Sequence, residues 1–495
     1  MKRLLFTFLL FISALLRAQS SITVNSPNGG EHIQQGKSTT ISWSFTGTIN
    51  NVRIEYSIDG GTNWIQISSS APSANSGPNS GNYSWTVPIG STTDQARIRI
   101  SDAVAPSVYD ISDNNFSIIN LDLLTPNGSE HLQAGKTYNV TWTNSTNLSS
   151  VDIKYTTDDG GSWGDVVAGY NASFHSYSWS VPSNIGSDRC KIKILDAANA
   201  LVSDISQNDF SIMDVDLVNP ANSSRIQAGS VYDITWTNTT NLVNVKLEYS
   251  TDNGTSWSVI SSSVSASPGL YHWTVPPGIG SDQCKIRISD AAASGSVSDM
   301  NTGAFSIISL TLTSPVGGEY LQGNNPYTFT WSSSSNLSNV DIAYTTNNGV
   351  SWFPLATGVN ASSHSYTMTI PPDISSDQCK LKISDALSPA ISSISPNVFS
   401  VRQLSLTLPN GGEYVKAGSS CNITWTRSNN VTNVSLEYST NNGSSWTTIV
   451  SPLDASLGTY TWNVPGNLAA DQALIRISDS QAPSQVKDVS DASFH

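Results

Sequence analysis

Acidic side chains recur in this chain at fixed places, and their types and spacing decide what chemistry they could do. Nine residues read YSTDNGTSW from Tyr249, and near-copies begin at Tyr56, Tyr155, Tyr344 and Tyr438. A second acidic column, Glu31, Glu130, Glu319 and Glu413, lies upstream in a Pro-Gly-rich phrase such as SPNGGEHIQQG. Hydrolysis of a glycosidic bond needs two carboxylates flanking it, one of them with a raised pKa. Neither column keeps its carboxylate: Asp59, Asp158 and Asp252 give way to Asn347 and Asn441, and Ser224 stands in the Glu place of the third copy. Asn makes the same side-chain-to-backbone turn bond as Asp. It cannot be a general acid, a nucleophile or a strong cation ligand. His32, His131, His175, His272, His364 and His495 are scattered, with no partner at metal-ligand spacing. No nucleophile elbow or phosphate loop occurs, so no catalytic or cofactor-binding residue is expected.

Calcium is a softer option. Each copy carries Asp after its sixth strand (Asp102, Asp196, Asp290, Asp385, Asp479), and four carry another before the last strand (Asp110, Asp204, Asp299, Asp488), with Ser393 in the fourth copy. Two carboxylates on one loop could hold a hard cation together with backbone oxygens, so the pairs Asp102 and Asp110, Asp196 and Asp204, Asp290 and Asp299 are candidate ligands. Asx turns explain them equally well.

The elements that carry these residues repeat. YSTDNGTSW resembles the Asp box of sialidases and other β-propellers. A propeller blade takes roughly 40–50 residues, whereas Trp43, Trp142, Trp236, Trp331 and Trp425 recur about every 95. Within a copy, period-2 alternation marks strands: Val52, Ile54 and Tyr56 point one way, Arg53 and Glu55 the other. About seven short strands per copy, with turn residues between them, predict a seven-stranded immunoglobulin or fibronectin-III-like sandwich. The chain is thus read as all-β, a tandem array of five such sandwiches forming an extended rod. The copies fall at 19–119, 120–213, 214–308, 309–402 and 403–495, the fifth stopping inside its last strand. Linkers such as the one in FSIINLDLLTP have almost no slack.

Tryptophan falls in three columns: the second strand, the end of the box (Trp64, Trp163, Trp257, Trp352, Trp446), and a later strand (Trp85, Trp179, Trp273, Trp462, with Met368 in the fourth copy). All three are expected to pack as core. Outward Arg97 and Arg99, Lys191 and Lys193, Lys285 and Arg287 are expected to pair across strands with Glu55, Asp152 and Glu248. Tyr83, Tyr170 and Tyr271 are the loop aromatics that could meet a glycan. Cys190, Cys284, Cys379 and Cys421 are no two in one repeat, and are expected to be small buried apolar groups rather than disulfides.

At 495 residues with 12% charged residues and a net charge of -14, the composition disfavours nucleic acid, whose binders cluster Lys and Arg. Met1 to Ala18 has the layout of a secretory signal peptide. No transmembrane segment is expected after its cleavage.

The phrase carried by Pro27, Gly29, Gly30, Glu31, Gly36 and Trp43, and again by Pro409, Gly411, Gly412, Glu413, Gly418 and Trp425, resembles a known domain. It is similar to the immunoglobulin-like domain of the Ser-Thr-rich glycosylphosphatidylinositol-anchored membrane family, also found at the N-terminus of fungal cell-wall β-glucan assembly proteins. The resemblance implies five copies of that domain, as in exported Bacteroidetes-like bacterial surface proteins. It implies a non-enzymatic, secreted or cell-surface stalk or adhesion module with a protein or glycan partner. Carbohydrate binding, or an accessory role to a secreted hydrolase, is the alternative.

Overall fold

The computed structural model describes residues 19–495; the signal-peptide segment 1–18 lies outside the described residues. Five sheet pairs follow one another along the chain. In the first, the strands are β1 Ser21–Ser26, β2 His32–Gln34, β3 Ser38–Thr46, β4 Asn51–Ser57, β5 Ile65–Pro72, β6 Ser80–Thr86, β7 Thr93–Asp102, β8 Tyr109–Ile111 and β9 Phe116–Ile119. One sheet has the order β1-β3-β6. The other has β2-β9-β7-β4-β5, with β8 pairing β7. This is the expected sandwich with two more strands than the sequence pattern predicts. The additions, β2 and β8, are three residues each, too short to show a period. β2 exists because the first strand crosses from one sheet to the other at the Pro-Gly phrase.

The core of each repeat comes from the alternating faces. Val52 and Ile54 are fully buried, as are Ile98 and Ile100, which lie opposite Tyr56 and Ile54 on β7. The second-strand Trp fills the middle, and its indole N–H is satisfied the same way each time: Trp43 donates to Ser73 O at 3.1 Å, Trp236 to Ala266 O at 2.9 Å and Trp425 to Ala455 O at 3.0 Å. A buried indole needs such a partner. The later-strand Trp packs on the strand-β4 Tyr or its counterpart, with ring centroids 5.0 Å apart for Tyr56 and Trp85 and 5.4 Å for Tyr249 and Trp273. In the fourth repeat Met368 is only half-buried. Tyr344 turns to Phe353 instead, and a small apolar cavity remains beside Met368, Phe329 and Cys379.

The odd third repeat is explained by a swap. Gly29 sits at φ +132°, where a Cβ would come within 2.5 Å of Asn114 Cβ, and Gly128 faces Asn208 in the same way. The third repeat places Asn222 at the glycine position and Gly303 opposite it, so the close approach survives with the small residue on the other side.

Candidate functional site

The acidic columns fold into loops. Glu31 accepts the N–H groups of Asn28 at 2.6 Å and Gly29 at 2.7 Å; Glu130, Glu319 and Glu413 repeat this fork. Burial pushes the Glu413 carboxyl up, and the N–H groups of Asn410 and Gly411 more than offset it, leaving it below its ordinary value. The Glu column therefore shapes the loop between the first two strands.

The box aspartates do the same for the next turn. Asp59 Oδ1 accepts Asn63 N–H at 2.8 Å and the Ser57 hydroxyl at 2.7 Å. Asn347 Oδ1 takes Ser351 N–H at 2.9 Å and the Thr345 hydroxyl at 2.7 Å. The Gly of the box is fixed because its φ lies at +96° in Gly61 and +91° in Gly254, a region that only Gly enters freely. The backbone N–H of Asn63, with the Ser57 and Asn63 side chains, holds Asp59 down to about 2, and hydrogen bonds hold Asp158 and Asp252 there too, led by Thr156 and by Ser256 respectively.

An acid test follows. The unfolded reference is about 3.9, so a lowered native pKa gives stabilisation that is complete above that value and lost as pH falls through about 2. Repeats 1–3 carry this acid-labile contribution, and Asn347 and Asn441 make the same turns without titrating. Asp252→Asn is therefore expected to flatten the acid dependence of repeat 3 between pH 4 and 2, read by hydrogen exchange on the full chain. An unchanged slope would refute the assignment.

The box Trp is not core, contrary to the sequence expectation. All five are half-buried and lie under a cation: Arg99 is 4.4 Å from the Trp64 centroid, Arg287 4.3 Å from Trp257 and Arg476 4.3 Å from Trp446, with Lys193 and Lys382 over Trp163 and Trp352. The stacked cation covers the ring as a flat sugar would need to. Arg99 and Arg287 also pair with Glu55 (2.6 Å) and Glu248 (2.7 Å), as the cross-strand reading expects. Asp152 does not join its lysines: it lies two residues before the Glu55 place, and its carboxylate takes Gly169 N–H at 2.7 Å. Tyr83, Tyr170 and Tyr271 are half-buried and lie in strands, not loops; Tyr170 packs among Trp142, Phe174 and Tyr177. Cys190, Cys284 and Cys379 are free and buried, while Cys421 is half-buried.

The candidate calcium aspartates serve two different structural ends, so the members of a pair are committed to different partners. Asp110 Oδ2 accepts Val24 N–H at 2.8 Å, tying the two sheets together, and Asp204 and Asp299 do this for Leu123 and Leu217. Asp102 Oδ1 caps its own turn at Val104 N–H. From the second repeat on, this second column also reaches the preceding domain. His32 Nδ1 bonds Asp196, His131 Nδ1 bonds Asp290 at 2.5 Å, and Arg225 pairs with Asp385 at 2.7 Å. At the last joint Tyr320 takes that place. Arg402 lies 4.6 Å over its ring and pairs with Asp479.

These contacts belong to a repeated joint. Gln34, Gln133, Gln227 and Gln322 accept the backbone N–H of Ser203, Ser298, Ser392 and Lys487 in the next domain. In return Asn147, Asn241, Asn336 and Asn430 reach back to Asp94, Asp188, Asp282 and Asp377 and to a carbonyl of the last strand. The residues that end the last strands, Ile119, Met213, Ile308 and Arg402, are buried at the joints. The interdomain side-chain bonds described here all join consecutive repeats. The joints, rather than a pocket, are where sequence-distant side chains converge.

Comparison with known proteins agrees on the domain type. The Kre9/KNH-like N-terminal Ig-like domain model matches residues 408–491. No curated protein sequence matches the chain. Among solved structures, the chain is similar to the N-terminal eight Ig domains of Down Syndrome Cell Adhesion Molecule isoform 1.30.30, at 9% identity and TM-score 0.20, covering 96% of this chain and 63% of that one. Sidekick-1 immunoglobulin domains 1–5 match at 8% identity and TM-score 0.17, over 96% of this chain and 98% of that one. The fibronectin(III)-like modules of Clostridium thermocellum CbhA match at 14% identity and TM-score 0.18, over 38% and 92%. Superpositions this loose carry no argument of their own, so the assignment of immunoglobulin-like sandwiches rests on the sheet order and on the matched fifth repeat.

Proposed function

We propose that the chain is a non-enzymatic, exported stalk or interaction module, displayed outside the cell or at its surface, that sets a fixed distance and direction between what it joins. The observation that carries this reading is the joint: the same Gln and Asn positions close each of the four, and the strand ends Ile119, Met213, Ile308 and Arg402 are buried there. A flexible string of domains would need none of these bonds, because interdomain motion is the default where contacts are few and polar. The acidic columns support the non-enzymatic part, since their oxygens are bound to turn N–H groups. No helix of the described residues is long and apolar enough to cross a membrane.

Small-angle scattering of residues 19–495 tests the stalk. Five sandwiches in line, at roughly 40 Å each from strand rise and loops, give a maximum dimension on the order of 200 Å. The pair-distance function is expected to be that of a rod, and alanine at Gln34, Gln133, Gln227 and Gln322 together is expected to shorten and broaden it. A compact or freely jointed profile for the parent chain would overturn the reading.

A further inference from the structure

The entry and exit strands of a domain lie side by side. β2 runs parallel to β9, with His32 opposite Ser117, Ile33 opposite Ile118 and Gln34 opposite Ile119. The same three-residue parallel pair occurs in repeats 2, 3 and 4. Its flanks are held by Ser117 N–H to Glu31 O at 2.8 Å and Gln35 N–H to Ile119 O at 2.9 Å. β2 is close to where the chain enters the domain, and β9 is where it leaves. Tension applied along the chain therefore pulls two parallel neighbours in opposite directions along their shared axis. Every bond of the ladder is then loaded at once, whereas a hairpin pulled from its open end gives way one bond at a time.

His32 and Gln34 also hold the next domain. Gln34 Nε2 donates to Leu121 O at 3.1 Å, two residues beyond the end of β9, while its Oε1 accepts Ser203 N–H at 3.1 Å. Gln322 repeats both bonds, to Leu404 O at 3.1 Å and from Lys487 N–H at 2.7 Å. Asn199 of the second repeat donates to His32 O at 2.8 Å. The short strand thus faces its own last strand on one side and the following domain on the other.

We propose that the array bears mechanical load, that the parallel first-and-last-strand pair of each domain is its shear clamp, and that the following domain braces that clamp through Gln34, Gln133, Gln227 and Gln322. This rests on the stalk reading and adds to it what the stalk withstands.

The test stretches the full chain by its ends in an optical trap. Each repeat of about 95 residues releases on the order of 300 Å of contour as it unfolds. The expected trace has at least four events in a high-force class, one for each repeat with the parallel pair. Gln133→Ala, which removes only the brace, is expected to lower one of the four and leave three. Gln35→Pro, which removes the N–H bound to Ile119 O, is expected to lower the first repeat's event below that class. If that variant prevents the first repeat from folding, its event disappears and the Gln133→Ala trace decides. A Gln133→Ala trace identical to the parent, or a Gln35→Pro trace in which the first repeat still unfolds in the high-force class, would overturn the clamp. A rod-like scattering profile with variants that unfold like the parent discards the clamp and keeps the stalk; a collapsed profile removes both.

Discussion

Replacing Arg402 by Ala is expected to cost repeat 5 and the joint before it about 3–5 kcal/mol, the usual loss when one partner of a buried ion pair is removed. Arg402 and Asp479 are 3% and 0% exposed, and the guanidinium also lies over Tyr320 and reaches Asp377 at 3.4 Å. Truncation leaves the Asp479 carboxylate in the joint with only Gln481 N–H at 2.9 Å as a hydrogen-bond donor. The companion variant Arg402→Met with Asp479→Leu removes both charges and fills similar volume. It is expected to recover most of the loss, because burying two charges is itself expensive. Hydrogen exchange of repeat 5 in the intact chain reads both variants locally, without assuming that five domains unfold as one. A loss below about 1 kcal/mol for the single variant would mean that the pair is solvated in solution.

That pair shows where sequence reading stops. The fold was legible because its signals are local and periodic: Val52, Ile54 and Tyr56 alternate within five residues, and the second-strand Trp returns in every copy. One side of the joint is formed by residues about 160 apart whose types change from His32 and His131 to Arg225 and Tyr320, so no single column announces it. One column of the aspartates that suggested calcium, Asp196, Asp290, Asp385 and Asp479, takes part in it. A usable signal was present in two other columns. Gln34, Gln133, Gln227 and Gln322 become Lys416 only in the last copy, and Asn147, Asn241, Asn336 and Asn430 have Thr48 in their place only in the first. One column missing from the last copy and another missing from the first is the pattern expected of two halves of a contact between consecutive domains. β2 was hidden for a different reason: three residues cannot display a period of two.

The tryptophan columns give the second large effect, and it separates two positions that look alike in sequence. Trp425 is 4% exposed and donates to Ala455 O across the core; Trp446 is half-buried beneath Arg476, which in turn pairs with Glu437 at 2.5 Å. Trp425→Ala is expected to cost repeat 5 about 3–5 kcal/mol, the range for emptying a large aromatic site in a packed core. Trp425→Phe keeps most of the ring and loses the hydrogen bond, so its cost is expected near 1–2 kcal/mol. Trp446→Ala removes a partly solvated ring and one cation–π contact, of about 0.5–1 kcal/mol at exposed sites, with a modest apolar area besides. Its cost is expected to stay below about 2 kcal/mol. The comparison is made on one repeat, by hydrogen exchange of its core amides in the full chain. Equal losses for Trp425→Ala and Trp446→Ala would show that the box ring is buried in solution. Unequal losses in the expected order would show that in YSTNNGSSW the strand ending at Ser439 builds the core, while Trp446 finishes the outer face of the sheet.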